Sequence, residues 1–456
     1  MVTRPRKKEK ANSFPWRFIF SSIFVIAALM LSKKIFPNQG SEDPSLRAVQ
    51  LCRTQFDEWS QLDVSDDQFT ATKLLGGTTH SIFRCDISKE LEDRVKTKTV
   101  VLRVFRGADV SDRGEEARLQ QFLGDRDLGV QILKDFGEGR IEEFLRGKTP
   151  STPVFAGREQ PEFGWAVART FGRLHRFDET TEEMHGLDIN KEPFLSYMDL
   201  WMKKAQAFDF QNQTWIRSSE YNRHKARVAK EIDVSNEKWN REVDWLNQFI
   251  TSLHKDDPMV LSHNDLNGGN VLMEVQPNGD LSVEFIDYEY GGLNFRGFDL
   301  GNYFCEHFLD YSDPEWPHFF IVRKLFPQQD YMLKFIRHYL KANSPDATPS
   351  EGRVTRLYVK SVSSMLASHL LWSLWDIYQS TSDASGLGFL ENAMTRMEEY
   401  HVHKSKLLDI LKEETNEEEG DRVLRVVGAY DEKQNEIFLK KMTELHTLMT
   451  SQSREN

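Results

Sequence analysis

The stretch "LSHNDLNGGNVLM", residues 261–273, places a polar segment between two short apolar runs. It contains His263, Asn264, Asp265, Asn267 and Asn270. Asn, Asp and Gly are the usual turn formers, so a surface turn is one interpretation. One carboxylate and three amides so close together also suit a polar reaction site. The order of the segments before and after this stretch decides between the two interpretations.

Length and composition indicate a large protein with a sizeable core. The chain has 456 residues, of which 39% are hydrophobic, and this length predicts two or three structural units. A formal net charge of -12 argues against a nucleic-acid partner. Cys52, Cys85 and Cys305 lie far apart in sequence and show no disulfide framework or zinc-ligand spacing, so we expect packing residues in a reducing compartment.

The N-terminus differs from the rest of the chain. Basic "RPRKKEK" precedes the uncharged segment Phe18–Ser32, which is shorter than the roughly 20 residues of a spanning helix. We predict a basic N-terminus with a membrane-anchor helix over 1–36, attached through residues 16–36. A cleaved signal peptide is the alternative, although "LSKKIFPNQG" lacks a small-x-small cleavage site.

Membrane topology stays open at this stage. We expect the remainder of the protein on the cytoplasmic side, yet most positive charge precedes the apolar run and favours a cytoplasmic N-terminus. A luminal protein, an inverted span and a helix lying in the interface would each reconcile these arguments.

The rest of the chain reads as two lobes and a tail. Strand patterns with one helix near residues 111–124 give way to helical periodicity from about residue 160. Phe163, Val167, Phe171 and Leu174, for example, share one helix face. We predict a linker over 37–60, a β-rich lobe over 61–146, a helical lobe over 147–405, and an acidic loop with a C-terminal helix over 406–456.

The order of these segments resembles phosphoryl-transfer enzymes of the protein-kinase kind. Such enzymes use a Gly loop, a basic residue on a strand, a helical Glu, an Asp followed five residues later by Asn, and a second Asp. Asp265 and Asn270 keep that interval, and Asp287 follows the apolar strand in "EFIDYEY". We therefore predict an α+β, two-lobed, protein-kinase-like fold with a small β-rich N-lobe and a larger helical C-lobe, preceded by an N-terminal hydrophobic helix.

Phosphoryl transfer explains the residue types. Asp265 would accept the proton of the attacking hydroxyl, and Asn270 and Asp287 are oxygen ligands suited to Mg²⁺. Arg103 would reach the phosphates and Glu116 would orient it, although the two could form an ordinary ion pair. The loop "GGTTHS" would bring backbone amides to the nucleotide phosphates, and an ordinary hairpin turn is its alternative. Its residues are Gly76, Gly77, Thr78, Thr79, His80 and Ser81.

Three strings identify a closer resemblance. "HNDLNGGNVLM", "FIDYEYGGLNFRGFDLGNYFCEH" and "WSLWDIY" are similar to the choline/ethanolamine kinase family over roughly residues 65–405. The resemblance implies transfer of the ATP γ-phosphate to choline or ethanolamine with Mg²⁺, which opens phosphatidylcholine or phosphatidylethanolamine synthesis. It implies catalytic roles for Asp265, Asn270 and Arg103. It also implies an adenine-binding hinge at Glu142–Leu145, including Glu143, Phe144 and Leu145.

The resemblance also implies a substrate pocket. Trp372 and Trp375 are three apart and share a helix face, and their rings suit a cation. Helix core is the alternative reading of this pair. Asn392 stands where the family often has a Tyr, which puts strict choline preference in doubt. The residues expected around the substrate are Asn267, Tyr290, Glu306, Trp372 and Trp375.

Two other functions remain open from the sequence. One is another small-molecule kinase of the same fold, such as an aminoglycoside-type phosphotransferase. The other is a membrane-tethered pseudokinase, which the presence of Asp265, Asn270 and Asp287 disfavours. A homodimer is a further open prediction.

Overall fold

A computed structural model describes residues 43–74, 80–105, 113–210, 220–381 and 388–412. The predicted anchor over 16–36 and the chain beyond 412 lie outside the described residues. The described chain divides into two compact units. The first contains residues 43–105 and Ile132–Phe144, and the second contains Arg113–Gln131 and the residues from Leu145 onward. The mixed α+β prediction is confirmed, because the first unit holds a sheet and the second is mainly helical.

The first unit is built on a five-stranded antiparallel sheet with the order β1-β2-β3-β5-β4. Alternation along β3 sends Val100, Leu102 and Val104 into the core, whereas Arg103 lies on the opposite face. The strands are β1 Phe69–Lys73, β2 His80–Ile87, β3 Thr99–Phe105, β4 Ile132–Asp135 and β5 Gly139–Glu143.

Two helices, α1 Pro44–Gln55 and α2 Asp57–Ser60, cover the apolar face of this sheet. Both lie within residues 37–60, for which the sequence predicted a linker. The Asp43 side chain accepts the Ser45 N–H at 2.9 Å and caps α1, with Pro44 in the first turn. Polar residues around Pro44 suggested a linker, but they are a helix start, and the apolar face of α1 packs in the core of the unit.

Two of the three cysteines meet in this core. Cys52 on α1 and Cys85 on β2 are buried with their Sγ atoms 2.8 Å apart. Both thiols are free and buried, so the expectation of packing residues is confirmed, and the fold closes a distance between them that sequence spacing alone does not reveal. Cys305 is buried elsewhere, in the second unit.

The second unit contains the remaining helices. Its long central helix, Glu351–Gln379, packs against the helix Arg296–Glu306. The close approach of these two helices depends on Gly301, where a Cβ would lie 2.5 Å from the Ser361 carbonyl oxygen. The helices are α3 Arg113–Gly124, α4 Thr152–Phe155, α5 Pro161–Leu174, α6 Glu182–Gly186, α7 Tyr197–Gln206, α8 Glu220–Ile232, α9 Glu237–His254, α10 Arg296–Glu306, α11 Gln329–Asn343, α12 Glu351–Gln379 and α13 Phe389–Lys412.

Short antiparallel strand pairs in the second unit position the polar motifs. β6 pairs with β9, β7 with β8, and β10 with β11. They are β6 Val260–Ser262, β7 Val271–Val275, β8 Leu281–Phe285, β9 Gly292–Asn294, β10 Leu309–Asp310 and β11 Phe320–Ile321.

Two boundaries differ from the sequence prediction. Helix α3 was expected in the small lobe, but its apolar residues Leu119 and Leu123 pack in the main core of the second unit. Helix α13 continues to Lys412, past the predicted end at 405. Within the described part of the chain, no helix has the length and apolar character needed to cross a membrane.

Candidate active site

The segment that opened the sequence analysis forms the loop between β6 and β7. His263 orders this loop from its buried position. Its Nδ1 accepts the Asp265 N–H at 3.3 Å, so Nε2 carries the proton and donates to the Ile286 carbonyl at 3.0 Å. Burial lowers the pKa of His263, which keeps the ring neutral for these two bonds. This geometry supports a structural role for His263.

Asp265 occupies the centre of the loop, and two amides hold its carboxylate. Asn270 Nδ2 donates to Asp265 Oδ2 at 3.1 Å, and Asn267 Nδ2 approaches the two carboxylate oxygens at 3.4 and 3.3 Å. Burial raises the pKa of Asp265 well above its usual range, and the negative charge of Glu306 adds to this effect. A carboxylate with a raised pKa is a better proton acceptor than an ordinary Asp.

Asp299 on helix α10 anchors the same loop. Its two carboxylate oxygens accept the backbone N–H groups of His263 and Asn264, each at 2.7 Å, and Oδ2 also meets His175 Nε2 at 3.0 Å. Its side chain is fully buried, with 0% exposure. Asp299 is not among the residues predicted from the sequence, although an Asp between apolar residues in "GFDLGNYF" was a usable signal.

The hairpin β7–β8 brings the second motif to the loop. Val271 pairs with Phe285, and the Ile286 N–H donates to the Asn270 carbonyl at 3.0 Å. Asp287 therefore follows directly after the residue bonded to Asn270. It has φ 65°, in the left-handed region that few residues other than Gly adopt. The structure thus brings together Asp265, Asn270 and Asp287, as the sequence predicted.

These residues fit a magnesium ion by their chemistry. Asn270 Nδ2 donates to the Asp265 carboxylate and, at 2.8 Å, to the Asp265 carbonyl oxygen. This orientation leaves Oδ1 of Asn270 as the atom that could bind a metal. Asp287 adds a carboxylate. Among the described residues no three His, Cys, Asp or Glu side chains form a metal cluster. Two oxygen ligands suit Mg²⁺, which usually keeps several waters and binds substrate phosphates.

The first unit carries a separate group of predicted residues. Arg103 and Arg140 are cross-strand partners on β3 and β5, and both pair with Glu142. All three side chains are buried. Arg140 was not selected from the sequence, although it lies two residues before Glu142 and therefore on the same strand face. The predicted pairing of Arg103 with Glu116 stays a prediction.

The other predicted nucleotide-binding residues are only partly described. Gly76, Gly77, Thr78 and Thr79 lie outside the described residues, and His80 begins β2. Ser81 pairs with Val104 and therefore lies on the sheet face opposite Arg103. The Ser81 side chain therefore does not face Arg103 and Arg140, and only the backbone of Ser81 could take part in binding phosphate. Glu143 ends β5, and the Phe144 ring lies 4.6 Å from the Arg84 guanidinium. The division between the units falls between Phe144 and Leu145.

Aromatic residues of the second unit assemble beside the Asp265 loop. Tyr290 and Trp372 contact at 5.3 Å between ring centroids, and Trp372 and Trp375 at 5.6 Å. Trp375 Nε1 donates to the Tyr290 hydroxyl at 2.8 Å. The Asn264 side chain donates to the Tyr290 carbonyl at 2.8 Å, which ties this aromatic cluster to the residue preceding Asp265. The predicted residues therefore come together, and π faces near a carboxylate suit a cation.

Glu306 has a partner that the sequence analysis missed. Its Oε1 forms a buried ion pair with Arg396 of α13, whose Nη2 also donates to the Tyr311 hydroxyl at 3.0 Å. The arginine neutralises much of the charge that Glu306 was expected to offer to a substrate. Glu306 and Arg396 are 90 positions apart in the sequence, so no local sequence pattern predicts their contact.

This geometry defines a class of enzyme. A carboxylate held by two amides, an oxygen pair suited to Mg²⁺ and an adjacent aromatic cluster describe a phosphotransferase that acts on a small alcohol bearing a positive charge. Residues 71–401 match the family described as Choline/ethanolamine kinase. The chain belongs to the choline/ethanolamine kinase family, which confirms the resemblance inferred from the sequence.

Individual relatives agree with the family match. The chain is 28% identical over 382 residues to the human choline/ethanolamine kinase, covering 81% of this chain and 89% of that protein. A choline kinase structure from Cryptosporidium parvum Iowa II superposes with a TM-score of 0.61 at 26% identity, covering 79% and 96% of the two chains. The Plasmodium vivax ethanolamine kinase gives a TM-score of 0.64 at 20% identity, covering 83% and 95%. The protein-kinase-like fold is thereby confirmed.

Proposed function

We propose that the protein transfers the γ-phosphoryl group of ATP to the hydroxyl group of choline or ethanolamine. The main observation behind this proposal is that Asn264, which precedes Asp265, is hydrogen-bonded to Tyr290 of the aromatic cluster. It supports the proposal because Asp265, the proposed proton acceptor, lies close to aromatic rings that suit an ammonium group. The products are ADP and the phospho-base that opens phosphatidylcholine or phosphatidylethanolamine synthesis.

Asp265 acts on the acceptor. Its carboxylate accepts the hydroxyl proton while the hydroxyl oxygen forms a bond to the γ-phosphorus, and the bond from that phosphorus to the ADP oxygen breaks. Asn267 and Asn270 hold the carboxylate, and Asp299 fixes the backbone on which it sits. The raised pKa of Asp265 suits a group that takes a proton and later releases it.

The second unit supplies the residues proposed for the metal, and the first unit supplies residues proposed for phosphate. Asn270 and Asp287 would bind Mg²⁺, which neutralises phosphate charge when it is present. Arg103 and Arg140 are buried arginines of the first unit that would contact phosphate oxygens, with Glu142 fixing both guanidinium groups. Glu143, Phe144 and Leu145 are proposed to line the adenine position.

A direct acceptor screen tests this proposal. Full-length protein is incubated with γ-labelled ATP, Mg²⁺ and one of choline, ethanolamine or sphingosine. Label should pass to choline or ethanolamine, and sphingosine should stay unlabelled because a long-chain amino alcohol does not match the compact aromatic cluster. Transfer to neither small amino alcohol by folded protein would refute the proposal.

Membrane attachment is a separate part of the proposal. Residues 16–36 would hold the protein at a membrane, with the enzyme on the cytoplasmic side, where ATP is plentiful. Its support is the sequence alone, in which the uncharged segment Phe18–Ser32 has basic residues on both sides. Protease treatment of intact microsomes tests the side, since protection of the enzyme would contradict a cytoplasmic location.

A further inference from the structure

Helices α10 and α12 carry buried polar groups next to the aromatic cluster. Asn302 Oδ1 accepts the Trp372 Nε1–H at 2.9 Å, which fixes the contact between the helices. Asn302 Oδ1 also accepts the Ser368 hydroxyl at 2.8 Å, and Cys305 of the same helix lies against His369. Glu306 is four residues after Asn302, and Asp376 is four after Trp372, so each carboxyl group lies one turn further along its own helix.

Three buried oxygen atoms in this region receive no hydrogen bond from the part of the chain that the structure describes. Arg396 binds Glu306 through Oε1, but Oε2 has no hydrogen-bond partner among the described residues. Asn392 Nδ2 donates to Asp376 Oδ2 at 2.9 Å, yet Asp376 Oδ1 and Asn392 Oδ1 are likewise without a donor there. Glu306, Asp376 and Asn392 are only 4%, 0% and 3% exposed, so water outside the protein does not reach these oxygens.

A bound cation would also suit the carboxyl groups of this region. Asp376 lies within electrostatic range of both Glu306 and Arg396, and burial raises the pKa of Asp376 well above its usual range, so a cation beside it would favour its charged form. Buried acceptors without donors are costly to a folded protein, and most in native structures find a partner. A ligand that brings positive charge together with N–H donors would satisfy both needs.

We infer that the preferred acceptor is a primary amino alcohol, ethanolamine, over its quaternary counterpart, choline. This inference rests on the proposed function and refines it. The ammonium of ethanolamine carries three N–H donors, whereas the trimethylammonium of choline carries none. The aromatic rings attract both cations, so discrimination falls to the oxygens of Glu306, Asp376 and Asn392. A site whose buried polar groups are left unpaired by one substrate rejects that substrate strongly.

The test is a methylation series. We measure kcat/KM of the full-length protein for ethanolamine, N-methylethanolamine, N,N-dimethylethanolamine and choline at saturating ATP and Mg²⁺. The value should fall with successive methyl groups and should be at least about tenfold lower for choline than for ethanolamine, since each lost bond involves a charged donor.

A variant assigns the effect to this site. Asn392→Leu removes one oxygen at nearly constant volume, so kcat/KM for ethanolamine should fall by roughly tenfold while the value for choline holds or rises. Asn240→Leu, on the exposed side of α9, is the matched control and should leave the ratio between the substrates unchanged.

The outcomes distinguish a failure of the substrate preference from a failure of the proposed kinase activity. A flat methylation series, or one favouring choline, would overturn the inference and leave the proposed kinase activity intact. It would mean that bound water or Arg396, whose Nε and Nη1 also lack a described partner, satisfies these oxygens. Phosphorylation of none of the four compounds would instead remove the proposed function itself. If Asn392→Leu does not fold, the wild-type series alone decides the matter.

Discussion

Replacing Asp299 with Asn should destabilise the protein and disable the Asp265 loop. In the wild type, Oδ2 of Asp299 accepts the His263 N–H and Oδ1 accepts the Asn264 N–H, both at 2.7 Å. An amide offers one acceptor and one NH₂ donor, so one backbone N–H must face another donor in either orientation of the side chain. The change removes a single formal charge and leaves the volume of the side chain almost unaltered.

The size of the effect follows from these contacts. A hydrogen bond to a charged group contributes about 1.5–3 kcal/mol, and a buried donor left unpaired costs about 1–3 kcal/mol. We therefore expect the free energy of unfolding to fall by about 2.5–6 kcal/mol, a large share of the roughly 5–15 kcal/mol that stabilises a native protein. The loop that carries Asp265 loses an anchor at the same time, so kcat should fall as well.

Urea denaturation and initial-rate kinetics measure both consequences in parallel. Asp256→Asn is the matched control, because Asp256 is exposed and the same chemical change there should alter neither quantity. A loss below about 1 kcal/mol with unchanged kcat would refute the reasoning, since ordinary exposed substitutions have effects of about that size or less.

Three further outcomes are expected. Because the pKa of Asp265 is raised, kcat/KM should decrease on the acidic side of its pH profile at a pH above about 4, the ordinary value for Asp. Glu306→Gln should move this decrease to lower pH, and an unchanged profile would contradict the effect of the Glu306 charge on Asp265. Trp372→Ala or Trp375→Ala should raise KM for the amino alcohol by roughly 30-fold while KM for ATP holds, because a desolvated cation–π contact is worth about 2 kcal/mol; equal changes in both KM values would indicate a purely structural role. Deleting residues 1–40 should move the protein to the soluble fraction at constant specific activity, and full-length protein that is already soluble at low salt would contradict the anchor.

Local spacing accounts for what could be predicted from the sequence. The interval from Asp265 to Asn270 and the strand before Asp287 are short-range features, and a β-hairpin brings the ends of its two strands together. The three-residue spacing of Trp372 and Trp375 likewise requires a shared helix face, and the structure shows their rings in contact. The order of the motifs and the family resemblance selected these residues, and helix and strand geometry explains why they come together.

Long-range contacts account for what could not be predicted. Asp299 binds backbone N–H groups 35 and 36 residues away, and a backbone donor has the same chemistry whatever its side chain. Arg396 reaches Glu306 across 90 residues, and Cys52 meets Cys85 across 33. Such pairs depend on how the helices and strands pack, so a single sequence gives no periodic signal for them.

The most direct test of the central claim compares the wild type with Asp265→Asn, which keeps the size of the side chain and removes its ability to accept a proton. Transfer of label from γ-labelled ATP to ethanolamine and choline is measured together with nucleotide affinity. The account predicts a fall in kcat of about 100-fold to 10,000-fold, the usual contribution of a general base, with ATP affinity unchanged. Asp265→Asn protein that is folded, binds ATP and phosphorylates either acceptor at close to the wild-type rate would contradict it.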